Sequence, residues 1–145
     1  MGEFDFLASI MKLSPTGDEV VVPNGDDAAV FRTGLGAGSS QVVVSTDTIV
    51  SGDHFSLEYF SPEQVGIKVV ESSASDICAM GVTPNYIFLS LCAPKSVEQA
   101  VLQEVYSGVQ KACERVGVAL LGGDTTHGEL MSISATVIGL SLIHI

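Results

Sequence analysis

The stretch "LMSISATVIGL", residues 130–140, decides the fold class. Met131, Ile133, Ala135 and Val137 alternate with Ser132, Ser134, Thr136 and Ile138. A period of two sends successive side chains to opposite faces of a strand. The spacing predicts a strand with one apolar face and, for most of its length, one polar face. Such a strand belongs in a sheet that is covered on one side.

Working outward, "VALLGG" (118–123) reads as another strand, broken by glycines. Before it, Val97, Val101, Val105, Val109, Ala112 and Val116 form a helical stripe that Gly117 ends, and "SVEQ" (96–99) has the form of a capping box. "NYIFLSLCA" (85–93) is rich in β-formers and reads as a buried strand, its aromatic and aliphatic residues as core. "SPEQ" (61–64) is a second capping box. Its helix is expected to run to about Met80, stop at Gly81, and turn Val65, Val69, Ala74 and Ile77 to the core. Further upstream, "VVV" (42–44) begins a strand and "AAVF" (28–31) is another, with "RTGLGAGSS" (32–40) as a mobile hairpin tip. Residues 14–24 read as a loop, and 3–12 as a helix facing inward with Phe4, Leu7, Ala8 and Met11. The order is helix, two strands, helix, strand, helix, two strands. It predicts an α+β domain: a mixed, mostly antiparallel sheet covered on one side by helices.

The chain has 145 residues, enough for one domain with its own core. Its net charge is −11, from 17 acids against 6 Lys plus Arg. That balance opposes binding to nucleic acid or to an anionic membrane surface. It allows a phosphorylated ligand when Mg²⁺ bridges acids and phosphate. Cys78, Cys92 and Cys113 are odd in number and lack metal-ligand spacing. They read as free thiols of a reducing compartment, and with no signal-peptide pattern the expected location is the cytoplasm.

Four segments concentrate acids among small and hydroxyl residues: "GDDAA" (25–29), "STDT" (45–48), "SSASDICAMG" (72–81) and "LGGDTTHG" (121–128). In three of them the Asp stands at or beside the end of an expected strand, where loops can gather distant residues into one cleft. Singly, each Asp has an ordinary structural reading. Asp26 and Asp124 suit Gly-rich turns, and Asp76 suits a solvated helix face. Together, without nearby Lys or Arg, they suit hard divalent cations and phosphoryl transfer. No Walker phosphate loop, G-x-G-x-x-G pattern, Ser-His-Asp arrangement or zinc signature is present. His54 and His127 taken alone read as ordinary surface or loop residues.

In this order and at these separations, "GDDAAV", "STDTIVSGDHF", "SDICAMGVTP" and "LLGGDTTHG" resemble thiamine-monophosphate kinases. These belong to the superfamily of aminoimidazole ribonucleotide synthetase, selenophosphate synthetase and a hydrogenase-maturation protein. The resemblance spans roughly residues 2–139. It implies transfer of the γ-phosphoryl group of ATP to thiamine monophosphate, with Mg²⁺ and no covalent nucleophile from the protein. It also implies that Asp27, Ser45, Thr46, Asp47, Asp76 and Asp124 serve the metal site, that Gly123 and Asp124 lie against ATP, and that His54 contacts thiamine monophosphate. The family's first domain pairs its sheets in a homodimer, and strands 85–93 and 131–139 are the expected interface. Ser73 departs from the family, which usually has Asn there. The tail "LSLIHI" (140–145) does not look like the family's linker; it looks like translated adapter sequence, and the family's second domain is missing. Weak or no kinase activity is therefore expected of this chain alone. The alternatives are another ATP-dependent enzyme of the superfamily, selenophosphate synthetase-like or hydrogenase-maturation-like, and a non-catalytic dimerisation module. The absence of cysteine in the N-terminal region opposes selenium chemistry.

Overall fold

The structure, a computed structural model, describes residues 17–23, 25–33 and 40–141. The expected helix at 3–12, most of the hairpin tip and the last four residues lie outside the described residues. The elements are β1 (Val20–Val22), β2 (Ala29–Thr33), β3 (Ser40–Val50), α1 (Pro62–Ala79), β4 (Pro84–Ala93), α2 (Gln99–Val116), β5 (Ala119–His127) and β6 (Ser132–Ser141). They build one six-stranded sheet in the order β1-β2-β3-β6-β4-β5. Every neighbouring pair is antiparallel except β4 and β5, which run parallel. A parallel pair needs a crossover, and α2 supplies it. The α+β sheet with helices on one face is as expected from the alternation in β6.

Both helices pack on the same face. Val65, Val69 and Ile77 of α1 and Val105 and Val109 of α2 meet Ile87, Leu89 and Leu91 of β4 and Ile133, Ala135 and Val137 of β6 in one core. Each large aliphatic side chain removed from water there contributes about 1.5–3 kcal/mol. The first capping box forms in full: the Gln64 N–H donates to Ser61 Oγ at 3.2 Å, and the Ser61 N–H donates to Gln64 Oε1 at 2.9 Å. The helices cross where glycine is required on both sides. A Cβ on Gly66 would stand 1.9 Å from the Val105 carbonyl oxygen, and one on Gly108 would stand 1.9 Å from that of Glu63. On the outer side of the crossing, Lys111 pairs with Glu63 at 2.6 Å and Arg115 pairs with Glu71.

Four expectations are corrected. Val20–Val22, inside the expected loop, is a short strand on β2: a β-branched run is enough when a partner edge is available. The box at Ser96 does not form, because the Val97 N–H donates to the Pro94 carbonyl and closes a turn. Helix α2 therefore starts at Gln99 with no side-chain cap. Strands β3 and β5 are longer than expected, so Asp47 and Asp124 lie within strands and not at their ends. Finally, β4 is buried on one face only: Ile87, Leu89 and Leu91 are core, while Tyr86 and Phe88 are 37% and 38% exposed on the other side.

Candidate metal and nucleotide site

The pleat of β3 divides the "STDT" segment between two faces. In register with β6, Ser45 stands opposite Val137 and Asp47 opposite Ala135, both buried under the helices. Thr46 and Thr48 stand opposite Thr136 and Ser134 on the uncovered face. Ser45 is buried, and its hydroxyl donates to Asp76 Oδ2 of α1 at 2.9 Å. Asp47 is half-buried on the same side, and its Oδ1 accepts the Thr48 N–H at 2.9 Å. Strand β2 begins at Ala29 opposite Val44, so the loop with Asp26 and Asp27 joins the sheet beside the Ser45–Asp47 part of β3. Asp26 Oδ1 accepts the Asp27 N–H at 2.8 Å, the local turn bond expected of it.

Thr46 is placed differently from its neighbours. Its hydroxyl donates to the Ala135 carbonyl at 3.2 Å and lies 3.1 Å from Thr136 Oγ1. Thr48 Oγ1 and Ser134 Oγ are 2.8 Å apart. These hydroxyls tie β3 to β6 on the uncovered face.

Asp124 is also on that side. It pairs in register with Ser90, Ser90 with Ser134, and Ser134 with Thr48, so one polar row crosses four strands. Asp124 Oδ1 accepts the Thr125 N–H at 2.8 Å. At the sheet edge, a cavity of about 350 Å³ is lined by Tyr106, Leu120, Gly122, Gly123, Asp124 and Thr125. Gly123 is required by close approach: a Cβ there would stand 1.6 Å from the Leu89 carbonyl oxygen. Sequence reasoning missed Tyr106. It lies on α2, and only the crossover from β4 through α2 to β5 brings it beside Asp124.

The candidate residues therefore divide between two places. One is the helix-covered side, where Ser45 bonds Asp76 and Asp47 lies two residues along β3, with the Asp27 loop joining the sheet beside that strand. The other is Asp124 with Gly123 at the sheet edge. Among the described residues, no three Asp, Glu, His or Cys side chains stand together as a metal-holding group. The donor set of the first group fits a hard cation: it is all oxygen, and the helix cations Lys111 and Arg115 pair with Glu63 and Glu71 instead. His54 is exposed in the turn after β3, with its Nδ1 accepting the Val50 N–H at 3.3 Å. Ser73 is buried and donates to the Val69 carbonyl at 2.8 Å, so its hydroxyl is satisfied within α1.

Residues 25–141 match the family described as AIR synthase related protein, N-terminal domain. The thiamine-monophosphate kinase of Bacillus subtilis is 35% identical over 140 residues, covering 96% of this chain and 42% of that protein. The one from Corynebacterium glutamicum is 35% identical over 139 residues, covering 96% of this chain and 40% of its own length. A solved structure of AaThiL complexed with AMPPCP and TMP superposes with a TM-score of 0.81 at 30% identity, over 96% of this chain and 42% of that one. The chain thus spans about two-fifths of the length of these relatives. The match over residues 25–141, on a sheet of this topology, places the chain in the AIR synthase related protein family, as its N-terminal domain.

Proposed function

We infer that this chain is the N-terminal part of a thiamine-monophosphate kinase, which transfers the γ-phosphoryl group of ATP to thiamine monophosphate. The observation that carries the reading is the pairing of an all-oxygen acidic site around Asp76 with a cavity beside Gly123 and Asp124, on a fold similar to a kinase complexed with AMPPCP and TMP. Asp27, Asp47 and Asp76, with Ser45 on the same face of the sheet, would hold Mg²⁺, and Asp124 would bind it at the nucleotide; Thr46, expected at the metal, turns its hydroxyl to the other face. The bound cation would neutralise charge on the phosphoryl oxygens. Gly123 and Tyr106, which line the cavity, would lie against the nucleotide, and His54 would contact thiamine monophosphate. No side chain acts as a covalent nucleophile; the protein aligns donor and acceptor.

Two copies would pair through the uncovered sheet face. None of the described helices is long and apolar enough to cross a membrane. With its acidic surface and free thiols, the chain is assigned to the cytoplasm, without nucleic-acid or membrane partners. The remaining contacts to ATP and thiamine monophosphate are assigned to the part of the relatives that this chain does not span.

Calorimetry with Mg²⁺ and a non-hydrolysable ATP analogue tests the reading. The folded chain should bind the pair, and Asp47→Asn should weaken binding by about tenfold or more, as loss of one charged contact of roughly 1.5–3 kcal/mol requires. A folded chain without nucleotide affinity, or affinity indifferent to Asp47→Asn, contradicts it. A folded dimer without nucleotide affinity is the outcome expected of a non-catalytic module.

A further inference from the structure

Strand β5 does not pair evenly with β4. Leu120 stands opposite Ile87 and Gly122 opposite Phe88, so Leu121 is an extra residue with no partner position on β4. Such a bulge bends its strand locally, and bulges in parallel pairs are rare. This one sits at the edge cavity: Leu120 before it, and Gly122, Gly123, Asp124 and Thr125 after it, line the wall with Tyr106 of α2. We propose that the bulge is a positioning device of the nucleotide site: its bend holds the cavity open between β5 and Tyr106, through the length of the backbone and not through the Leu121 side chain. The proposal rests on the nucleotide reading above and refines it.

Three observations support this role. Leu121 alone among residues 120–125 does not line the cavity, and it is 55% exposed. Among the described residues, none of β5 belongs to the core, so packing under the helices does not account for the bulge. The strand closes on β4 again directly after the bend, where the Leu89 carbonyl oxygen leaves no room for a Cβ on Gly123. The bend is thus confined to the residues at the cavity. A bulge on an edge strand can also serve only to keep foreign strands from pairing with it. A bulge with that role alone would leave ligand affinity unaffected.

The test removes the bend and keeps the rest. Deleting Leu121 leaves Leu120 opposite Ile87 and Gly122 opposite Phe88 with no residue between them, so the flanking pairings and faces are retained. Affinity for Mg²⁺ with a non-hydrolysable ATP analogue is measured by calorimetry, with urea unfolding as the check on the fold. The deletion should weaken nucleotide binding roughly tenfold or more, on the scale of one lost charged contact. Its urea midpoint should stay at the native value, because β5 lies outside the core. Leu121→Ala should bind within about twofold of the native chain, as expected of an exposed side chain that touches no ligand. Native affinity in the deletion overturns the proposal. An equal loss in Leu121→Ala also overturns it, by assigning the effect to the side chain. A native chain without nucleotide affinity removes the nucleotide reading itself, and the proposal with it. Should the deletion not fold, insertion of one Ala between Leu121 and Gly122 takes its place. It lengthens the bulge without shortening the strand and should lose affinity likewise; native affinity in that variant overturns the proposal.

Discussion

Asp26, Asp47 and Asp124 each turn one carboxylate oxygen to the backbone N–H of the next residue. For Asp26 that is its whole role; for Asp47 and Asp124 the ordinary structural use of Asp and the proposed functional one coexist in the same side chain: one oxygen fixes the local backbone and the other is left for a ligand. Sequence spacing cannot separate the two uses, because both favour small, polar neighbours. Spacing also could not show that Thr46 faces away from Ser45 and Asp47, since that follows from the pleat once β3 extends through Val50. The cysteines are legible in the opposite sense, because their structural reading holds: Cys113 is buried in the core and Cys78 is exposed. Burial, and secondarily the charge of Glu114, push the Cys113 thiol above its ordinary value. A thiol raised in the folded state stabilises the fold at lower pH. That contribution begins to fall once pH passes the unfolded thiol value, and it is lost as pH rises through the folded one. Mass-mapped alkylation near pH 8 should therefore label Cys78 first and Cys113 only when urea unfolds the chain. Early labelling of Cys113 in the native protein would contradict its placement.

At the scale of elements, helix α1 was readable nearly to the residue, because its signals are local: Ser61, Pro62 and Gln64 at one end and Gly81 at the other. The start of α2 was not, because Ser96 and Gln99 satisfy a capping pattern while Pro94 draws the same residues into a turn. The glycines at the helix crossing carry no periodic signal, yet they set how closely α1 approaches α2. Their effect can be weighed. Ala in place of Gly108 gains about 1 kcal/mol of helix propensity. It also drives a Cβ against the Glu63 backbone, and overpacking of this kind costs roughly 1–3 kcal/mol or more when backbone must move. With a contact of 1.9 Å to a carbonyl on a facing helix, the clash wins. Gly108→Ala should lose about 2 kcal/mol in urea unfolding, whereas Ser107→Ala, exposed on the same helix, should lose nothing. Equal stabilities would mean that the helices separate freely.

For the whole molecule, the alternation in residues 131–137 was enough to give a one-sided sheet. It was not enough to say what the other side does, because an uncovered face can be solvated or paired. The structure sorts that face along the strands. Tyr86 stands beside Ile138, and Ile138 beside Val44, with Phe88 and Leu140 adjoining them. Thr48, Ser134, Ser90 and Asp124 form the polar row farther along. Tyr86, Phe88 and Leu140 are 37%, 38% and 45% exposed, a contiguous apolar area of the kind that marks an interaction surface. In the proposed homodimer a two-fold axis through the apolar end would bury these residues against their own copies and keep each Asp124 at the periphery. Each copy carries −11, so association works against charge repulsion and should strengthen with added salt. Light scattering should give twice the chain's mass, more completely at high salt. Tyr86→Glu combined with Ile138→Glu should give monomer whose urea midpoint is set by the helix-side core alone, since neither side chain belongs to that core. A dimer that survives both carboxylates would place the interface elsewhere. A monomer that unfolds as it forms would show that the two faces of the sheet are not energetically separate.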